Sequence, residues 1–466
     1  MQPHVTSSFR RGHIEGCCVV KSTMTDTRPL TPDPAPDPPT STTTIDVVVV
    51  GGGLAGWTAA ATAARRGAEV AVLDPRPDVG RAGADRDDGF VLHRGAHALY
   101  PNGPGAEVAR RLGIDLDGVS PPTKGALGLS GGSAGVLPQG PWSLLRSSLL
   151  SGRDRLRLPL AARRLTSADP ATVAHLTVAG WLDSLGLTGA VRRVAEMLVR
   201  LATYGADLDL MSADVAAHQL GLGGVRYLHR GFVGLAEDLR ATATAAGAVA
   251  VTARVRAVRS GPRSVTVVAD GRTVTARSAI VAVGSPSAAG GLLVDPPPAW
   301  RDLPAGPAVA CLDLALDGVP DGPPVLLGLD EPVYAIRHAP PARLAPPGGA
   351  VVHVVRYLRA SDAIDPRSGR AELESLARRM GIDLDRAVRS RYLHRMAVVG
   401  TTPTPDRGGL VGRPDIAHRD HPRLFVAGDW VGPTGYLADA ALVSAERAGR
   451  AAAELARRPA PVGATT

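Results

Sequence analysis

Residues 45–83 read IDVVVVGGGLAGWTAAATAARRGAEVAVLDPRPDVGRAG, and this stretch decides the fold. It opens on a β-branched apolar run, Ile45 and residues 47–50, of the kind a parallel strand buried on both faces requires. The run ends in Gly51, Gly53 and Gly56 at the G-x-G-x-x-G spacing, and an alanine-rich helix follows to about Arg66. Gly67 stands where that helix should stop, and residues 70–73 form a second strand ending on Asp74. The glycines divide the work. Gly51 permits the tight turn, Gly53 lets a pyrophosphate approach the backbone, and Gly56 lets helix and strand pack closely. The helix start, with the N–H groups of Leu54 and Ala55, presents a positive dipole end to phosphate. Asp74, 23 residues after Gly51, is placed for ribose hydroxyls and would repel a 2′-phosphate, although Arg76 lies nearby. Residues 47–64 carry no charge and could pass for a membrane span, but three successive glycines inside a βαβ pattern point instead to a dinucleotide site.

Two further stretches specify the dinucleotide. Gly80, Arg81, Ala82 and Gly83, followed by GFVLHRGAH at residues 89–97, resemble the second flavin signature of a flavoprotein superfamily. That superfamily holds phytoene desaturases, protoporphyrinogen oxidases and flavin amine oxidases. Its usual Gly-Gly-Arg reads Val79-Gly80-Arg81 here. The third anchor is RLFVAGDWVGPTGYLADAALVSAERAGRAAAEL at residues 423–455, a strand delivering Gly428-Asp429 and then a helix from about Asp439. The resemblance spans residues 45–458 and implies bound FAD. It implies that Gly80, Arg81, Gly95, Ala96 and His97 contact the cofactor, that the Val255 backbone meets the adenine, and that Asp429 binds the ribityl chain. The helix start at Leu437 and Ala438 would face O2 and N1 of the flavin ring, where a helix N-terminus stabilises the negative charge that builds on reduction. No cysteine lies near Gly428, so the FAD is expected to be noncovalent.

The implied architecture is α/β with α+β inserts, a Rossmann-type FAD-binding domain interrupted by a discontinuous substrate domain of antiparallel sheet and helices. The expected divisions are a disordered extension (1–44), the FAD-binding domain in three parts (45–120, 225–300, 405–458), the substrate domain in a helical part (121–224) and a sheet part (301–404), and a tail (459–466). Met24 is a second candidate start.

Composition sets bounds on the rest. At 466 residues and 44% apolar content the chain can bury a large core. The net charge of +8 comes from 52 basic against 44 acidic residues, and every basic residue except Lys21 and Lys124 is arginine. With aromatics at 3%, the excess reads as a solvated arginine-rich surface and not as a nucleic-acid platform. Cys17, Cys18 and Cys311 form neither a disulfide framework nor a metal spacing, and Cys311 in AVACLDL reads as a buried core thiol. No secretory segment is evident, which predicts a cytoplasmic protein.

The intervening chain gives several local expectations. Residues 105–113 read as a short helix, and residues 124–137 as two brief strands across a Gly/Ser turn. Residues 141–165 carry six arginines and one aspartate, with Trp142, Leu145 and Leu149 on one helical face. That pattern fits either peripheral contact with a membrane surface or a core-packed helix with a solvated basic face. Val191, Val194, Leu198 and Leu201 repeat at helical spacing and read as the wall of the substrate domain. Arg230-Gly231 stands where the resembled family carries a paired-glycine turn. Residues 249–258 read as one strand, 264–276 as a hairpin with a type I′ signal at Asp270-Gly271, and 279–283 as a third strand. Four strands between 308 and 358, poor in charge at their centres, predict an antiparallel sheet bordering an apolar cavity.

These features predict an FAD-dependent oxidoreductase that desaturates an apolar, isoprenoid-like or polycyclic small molecule by hydride transfer to the flavin. No second G-x-G-x-x-G follows a strand, so oxygen, a quinone or another acceptor is expected to reoxidise it. A flavin amine oxidase is the alternative; the resemblance implies a lysine near the flavin in such enzymes, in the strands before the C-terminal motif, and none follows Lys124, which weakens it. Alternatives of another class are a prenyl-protein-binding protein on the same scaffold and non-redox use of flavin. Candidate acid–base residues are His93, Arg94 and His97, although His97 reads equally well as a brace for its loop. No metal ligand set is expected.

Overall fold

The computed structural model describes residues 45–76, 80–418 and 420–457. The expected N-terminal extension, Met24, Val79 and the tail beyond residue 458 lie outside these residues. In chain order the main elements begin with β1 (Ile45–Val50), α1 (Leu54–Ala64), β2 (Val70–Asp74), the hairpin β3 (Ala84–Asp87) and β4 (Phe90–His93), and α2 (Pro104–Arg111). Then come β5 (Leu127–Ser130), β6 (Ser133–Val136), α3 (Pro141–Arg146), α4 (Gly152–Thr166), α5 (Gly189–Thr203) and α6 (Gly231–Ala245). Next are β7 (Val249–Thr252), β8 (Val255–Ser260), β9 (Val265–Ala269), β10 (Arg272–Val281), β11 (Ala308–Leu316), β12 (Val325–Gly328), β13 (Val333–Ala339) and β14 (Ala350–Leu358). The chain closes with α7 (Pro366–Arg379), β15 (Ala387–Ala397), β16 (His421–Val426) and α8 (Ala438–Arg457).

Two sheets carry the structure. The first runs β8-β9-β10-β1-β2-β7, with β16 added beside β10. The pairs β1·β2, β1·β10, β2·β7 and β10·β16 are parallel. Buried on both faces, β1 and β2 are the apolar runs of the opening stretch. α1 has ten of its eleven residues buried, as a helix apolar on every side must be. It packs against α6 and α8.

Three local expectations are corrected in this sheet. The single strand over 249–258 is two strands: β7 continues the parallel sheet beside β2, whereas β8 pairs antiparallel with β9. The strands expected over 272–276 and 279–283 are one, β10, which pairs with β9 near its start and with β1 and β16 near its end. The β9–β10 turn is not type I′, since Gly271 has a positive φ but Asp270 does not. The Asp270 N–H is held by the Arg254 carbonyl and its carboxylate by Arg256, so a contact to β8 sets the turn geometry.

The second sheet runs β15-β11-β14-β13-β12-β5-β6 and is antiparallel except for β12·β5. All nine residues of β11 are buried, so both faces are covered. Leu312, Leu314 and Leu316 join a core with α7, whereas Val309, Cys311 and Ala315 face the opposite core, which includes residues of α4 and α5. The second of these faces also meets the loop after β4.

The basic stretch at 141–165 departs from the expected single face. α3 stops at Arg146, and α4 restarts behind a capping box in which Ser151 and Asp154 satisfy each other's backbone. Leu149 lies in the connection, packed on Gly128 and Gly135 of the β5–β6 hairpin, while Trp142 and Leu145 point outward.

Candidate functional site

Three separated pieces of chain meet at one end of the parallel sheet. The first is the turn between β1 and α1. A Cβ at Gly56 would fall 1.8 Å from the Gly51 carbonyl oxygen, so strand and helix approach as closely as the sequence implied. A Cβ at Gly53 would meet nothing within 4 Å, leaving open space above the first turn of α1. No side chain caps that helix and no acidic residue occupies its first turn. Uncapped N–H groups facing open space are what a pyrophosphate needs. Asp74 is aimed by this turn: it accepts from the Gly52 N–H at 2.8 Å and from the Arg76 N–H at 2.7 Å.

The second and third pieces are joined through Arg81. Its guanidinium bonds the Asp429 carboxylate at 2.6 Å and the Val398 carbonyl at 2.9 Å. Asp429 is buried and also accepts from the Gly400 N–H at 3.0 Å. Leu437, immediately before α8, has φ +54, a rare conformation for a side chain branched at Cγ. Arg413 shapes this loop from beneath. Fully engaged, it donates to the carbonyls of Leu410, Asp429 and Gly435, and burial lowers its pKa to about 10. Tyr436 is buried alongside, its hydroxyl without a side-chain or backbone partner among the described residues. Asp439, in the first turn of α8, caps the start of α2 through the Gly105 N–H at 3.0 Å, and burial raises its pKa to about 7. Val255 is buried at the start of β8.

The loop of Gly95, Ala96 and His97 sits over a polar cluster that the sequence did not reveal. Asp313 on β11 stands directly opposite His353 on β14 and accepts its Nδ1 proton at 2.7 Å. The Cys311 thiol donates to the same oxygen at 2.9 Å, and Arg391 binds the other oxygen at 2.8 and 3.1 Å. The Gly95 N–H lies 3.5 Å from that second oxygen. Burial pushes the Asp313 carboxyl up, but the hydrogen bond from His353 and the Arg391 guanidinium outweigh it and hold it below its ordinary value. Burial, then the Asp313 charge, pushes the Cys311 thiol well up, so it stays protonated. The expectation of charge-poor strand centres is therefore wrong. Asp313, His338 and His353 lie on these strands and alternation turns them inward, while Arg391 reaches in from β15.

The three candidate acid–base residues divide. His93 is buried against Gly231 with neither ring nitrogen bonded among the described residues, and burial, then His97, keeps it neutral. His97 bonds its own loop through the Gly95 carbonyl at 3.1 Å, and burial lowers it to about 4, which supports its reading as a brace. Arg94 is half-buried. On the far side of the loop, Tyr204 donates to the Ala96 carbonyl at 3.1 Å and accepts from Tyr334, with Tyr357 packed against both rings. Cys311, Asp313 and His353 are close enough to share a cation. The Arg391 guanidinium already neutralises the carboxylate and the thiol is protonated, so the set suits a hydrogen-bonded network better than a metal.

Residues 54–453 match the family described as flavin containing amine oxidoreductase. The chain belongs to that family. Membership makes it an FAD-dependent oxidoreductase, and the open glycine turn, the aimed Asp74 and the Arg81–Asp429 junction are a cradle that fits FAD. The fold of flavin amine oxidoreductases recurs in solved structures. An oxidoreductase from Methanosarcina mazei aligns at TM-score 0.63 and 20% identity over 86% of this chain and 99% of its own. Cyclohexylamine oxidase from Brevibacterium oxydans IH-35A aligns at 0.64 and 17% over 89% and 100%. An Exiguobacterium sp. 255-15 protein proposed to be a protoporphyrinogen oxidase aligns at 0.65 and 17% over 89% and 100%. No curated protein matches the chain significantly. No helix among the described residues is long and apolar enough to cross a membrane.

Proposed function

We propose that this flavin amine oxidoreductase binds FAD noncovalently and oxidises a largely apolar substrate, isoprenoid-like or polycyclic, that presents one polar or activated position to the Asp313–His353 pair. The observation that carries this reading is the inward face of the second sheet beside the Gly95–Ala96–His97 loop. There Tyr204, Tyr334 and Tyr357 join Val309, Ile336 and Val355, and the polar groups are confined to one cluster. When bound, FAD supplies the acceptor for a hydride from an activated C–H. The protein's part is orientation and exclusion of water. Asp74 would bind ribose. Arg81 and Asp429 would hold the ribityl segment, and the start of α8 at Leu437 and Ala438 would face the ring. Asp313 fixes the His353 tautomer with its proton on Nδ1, leaving Nε2 free to accept one. Amine oxidation is disfavoured, because the buried carboxylate that would attract an ammonium group is already paired with Arg391.

The purified protein should carry about one equivalent of FAD that acid releases into solution, and an oxidant such as oxygen or a quinone should reoxidise it. Anaerobic mixing with polyprenoids, polycyclic compounds and amines should bleach the flavin with the apolar compounds. His353→Gln should slow bleaching by about 100-fold or more while leaving FAD bound. Bleaching by amines alone would overturn the substrate reading, and an unchanged rate in His353→Gln would remove His353 from the chemistry.

A further inference from the structure

We propose that the outer faces of α3 and α4 form a docking surface for an anionic phospholipid bilayer. Four large apolar side chains are exposed there within nineteen residues: Trp142 at 76%, Leu145 at 61%, Leu156 at 82% and Leu160 at 56%. Trp142 and Leu145 are three apart on α3, and Leu156 and Leu160 four apart on α4, so each pair shares a helix face. None of them serves the core. α4 is anchored by Leu158, Ala161 and Leu165, and the connection between the helices by Leu150, so the fold does not need the outer residues. Exposed leucines on a helix already packed along its other side are a standing cost in water, which an apolar medium would remove.

Charge identifies the occupant. Arg146, Arg153, Arg157, Arg163 and Arg164 are exposed on the same two helices. The one acidic residue, Asp154, is engaged at the α4 N-terminus by Ser151. Beside α4 a groove is lined by Leu160, Ala161, Leu187 and Val191 together with Arg157 and Arg164. An apolar lining that also carries guanidinium groups matches an acyl chain beneath a phosphate headgroup. Tryptophan and arginine are also the side chains that settle at the headgroup boundary. A second copy of the chain would bring like charges together on this face, which disfavours self-association. Arg155 is not part of the surface, because it is half-buried and bonds the Ser147 carbonyl. Depth is limited to the interface, since no described helix can span. The inference stands apart from the substrate reading, because it rests on surface residues alone.

The protein carries its own reporter. Of its five tryptophans, Trp57, Trp181, Trp300 and Trp430 are buried and Trp142 is not. The full-length holoprotein should cosediment with vesicles containing about 30% phosphatidylglycerol at low salt, at least about tenfold more than with pure phosphatidylcholine. Salt at about 0.5 M should release it. Emission should shift to the blue on binding and be quenched by brominated acyl chains, and Trp142→Phe should lose the shift while still cosedimenting. Leu145→Ser/Leu156→Ser/Leu160→Ser and Arg153→Glu/Arg157→Glu/Arg164→Glu should each lower partitioning by about tenfold or more. Flavin absorbance and circular dichroism verify that each variant is folded, and if one is not, the salt and lipid series on the wild type decides alone. Absence of cosedimentation at low salt would overturn the proposal. So would a dimer, seen by sedimentation without lipid and abolished by the same substitutions, because the face would then belong to a second copy.

Discussion

Asp429→Asn tests the junction on which the cofactor reading rests. The substitution keeps shape and removes charge from a side chain that is 5% exposed. Among the described residues the carboxylate has two partners, the Gly400 N–H at 3.0 Å and Arg81 at 2.6 Å. Their weights differ. Arg81 is 43% exposed in its side chain, so solvent screens the ion pair and its share is at most about 1 kcal/mol. The charge-assisted bond from Gly400 is enclosed and is worth about 1.5–3 kcal/mol. Asparagine still offers an oxygen to the Gly400 N–H, so the bond becomes a neutral one, and the lost charge assistance predicts a fall in stability of about 1–1.5 kcal/mol. If the same carboxylate orients the ribityl chain, FAD affinity should weaken by about 5- to 10-fold. Arg81→Met should cost less, and the double variant should show a coupling below about 1 kcal/mol. The assays are urea unfolding and FAD titration of deflavinated protein. A dissociation constant for Asp429→Asn within about twofold of wild type would show that Asp429 only braces residues 398–400. A larger loss for Arg81→Met than for Asp429→Asn would reverse their ranking.

Two further outcomes follow from buried groups. Burial raises the Asp439 pKa to about 7, above the unfolded value, so the native state keeps this proton longer than the unfolded chain does. Its stabilising effect is complete below about pH 4 and is lost as pH rises through about 7. Asp439→Asn, which mimics the protonated carboxyl, should match wild type at about pH 4 and exceed it by about 1–3 kcal/mol at about pH 9 in urea unfolding. Equal stability at both pH values would contradict the shift. At Gly231, φ is +63 and a Cβ would fall 2.0 Å from the His93 ring. Gly231→Ala should therefore cost about 1–3 kcal/mol and displace the loop after β4, with partial recovery on adding His93→Ala. An unchanged melting temperature in Gly231→Ala would refute the contact.

The strand, glycine turn and helix of the opening stretch were legible in the sequence because their determinants are local. A β-branched run, a turn needing glycine and a helix start follow one another within a dozen residues, so motif spacing locates Gly51, Gly53 and Gly56, and the end of the next strand, 23 residues after Gly51, locates Asp74. The paired-glycine position shows the limit of that reading. Arg230-Gly231 retains the one glycine that His93 demands, but the demand comes from a side chain 138 residues away. Equally, Leu149 looked like part of a helical face until the Ser151–Asp154 capping box ended that face and the β5–β6 hairpin claimed the leucine.

The polar cluster under the Gly95 loop was decided only by the tertiary structure. Cys311 and Asp313 lie two apart on one strand, which is visible in the sequence, but alternating residues on a fully buried strand do not announce which face is functional. His353 becomes Asp313's partner through the β11–β14 register, and Arg391 through β15 on the other side. Strand register is set by the packing of whole sheets, and a shift of one residue would turn every side chain to the opposite face. The open glycine turn and the start of α1 are thus set by contacts a few residues apart. Which side chains meet at Asp313 depends on pairings 40 and 78 residues long, which exist only once both faces of the second sheet are covered.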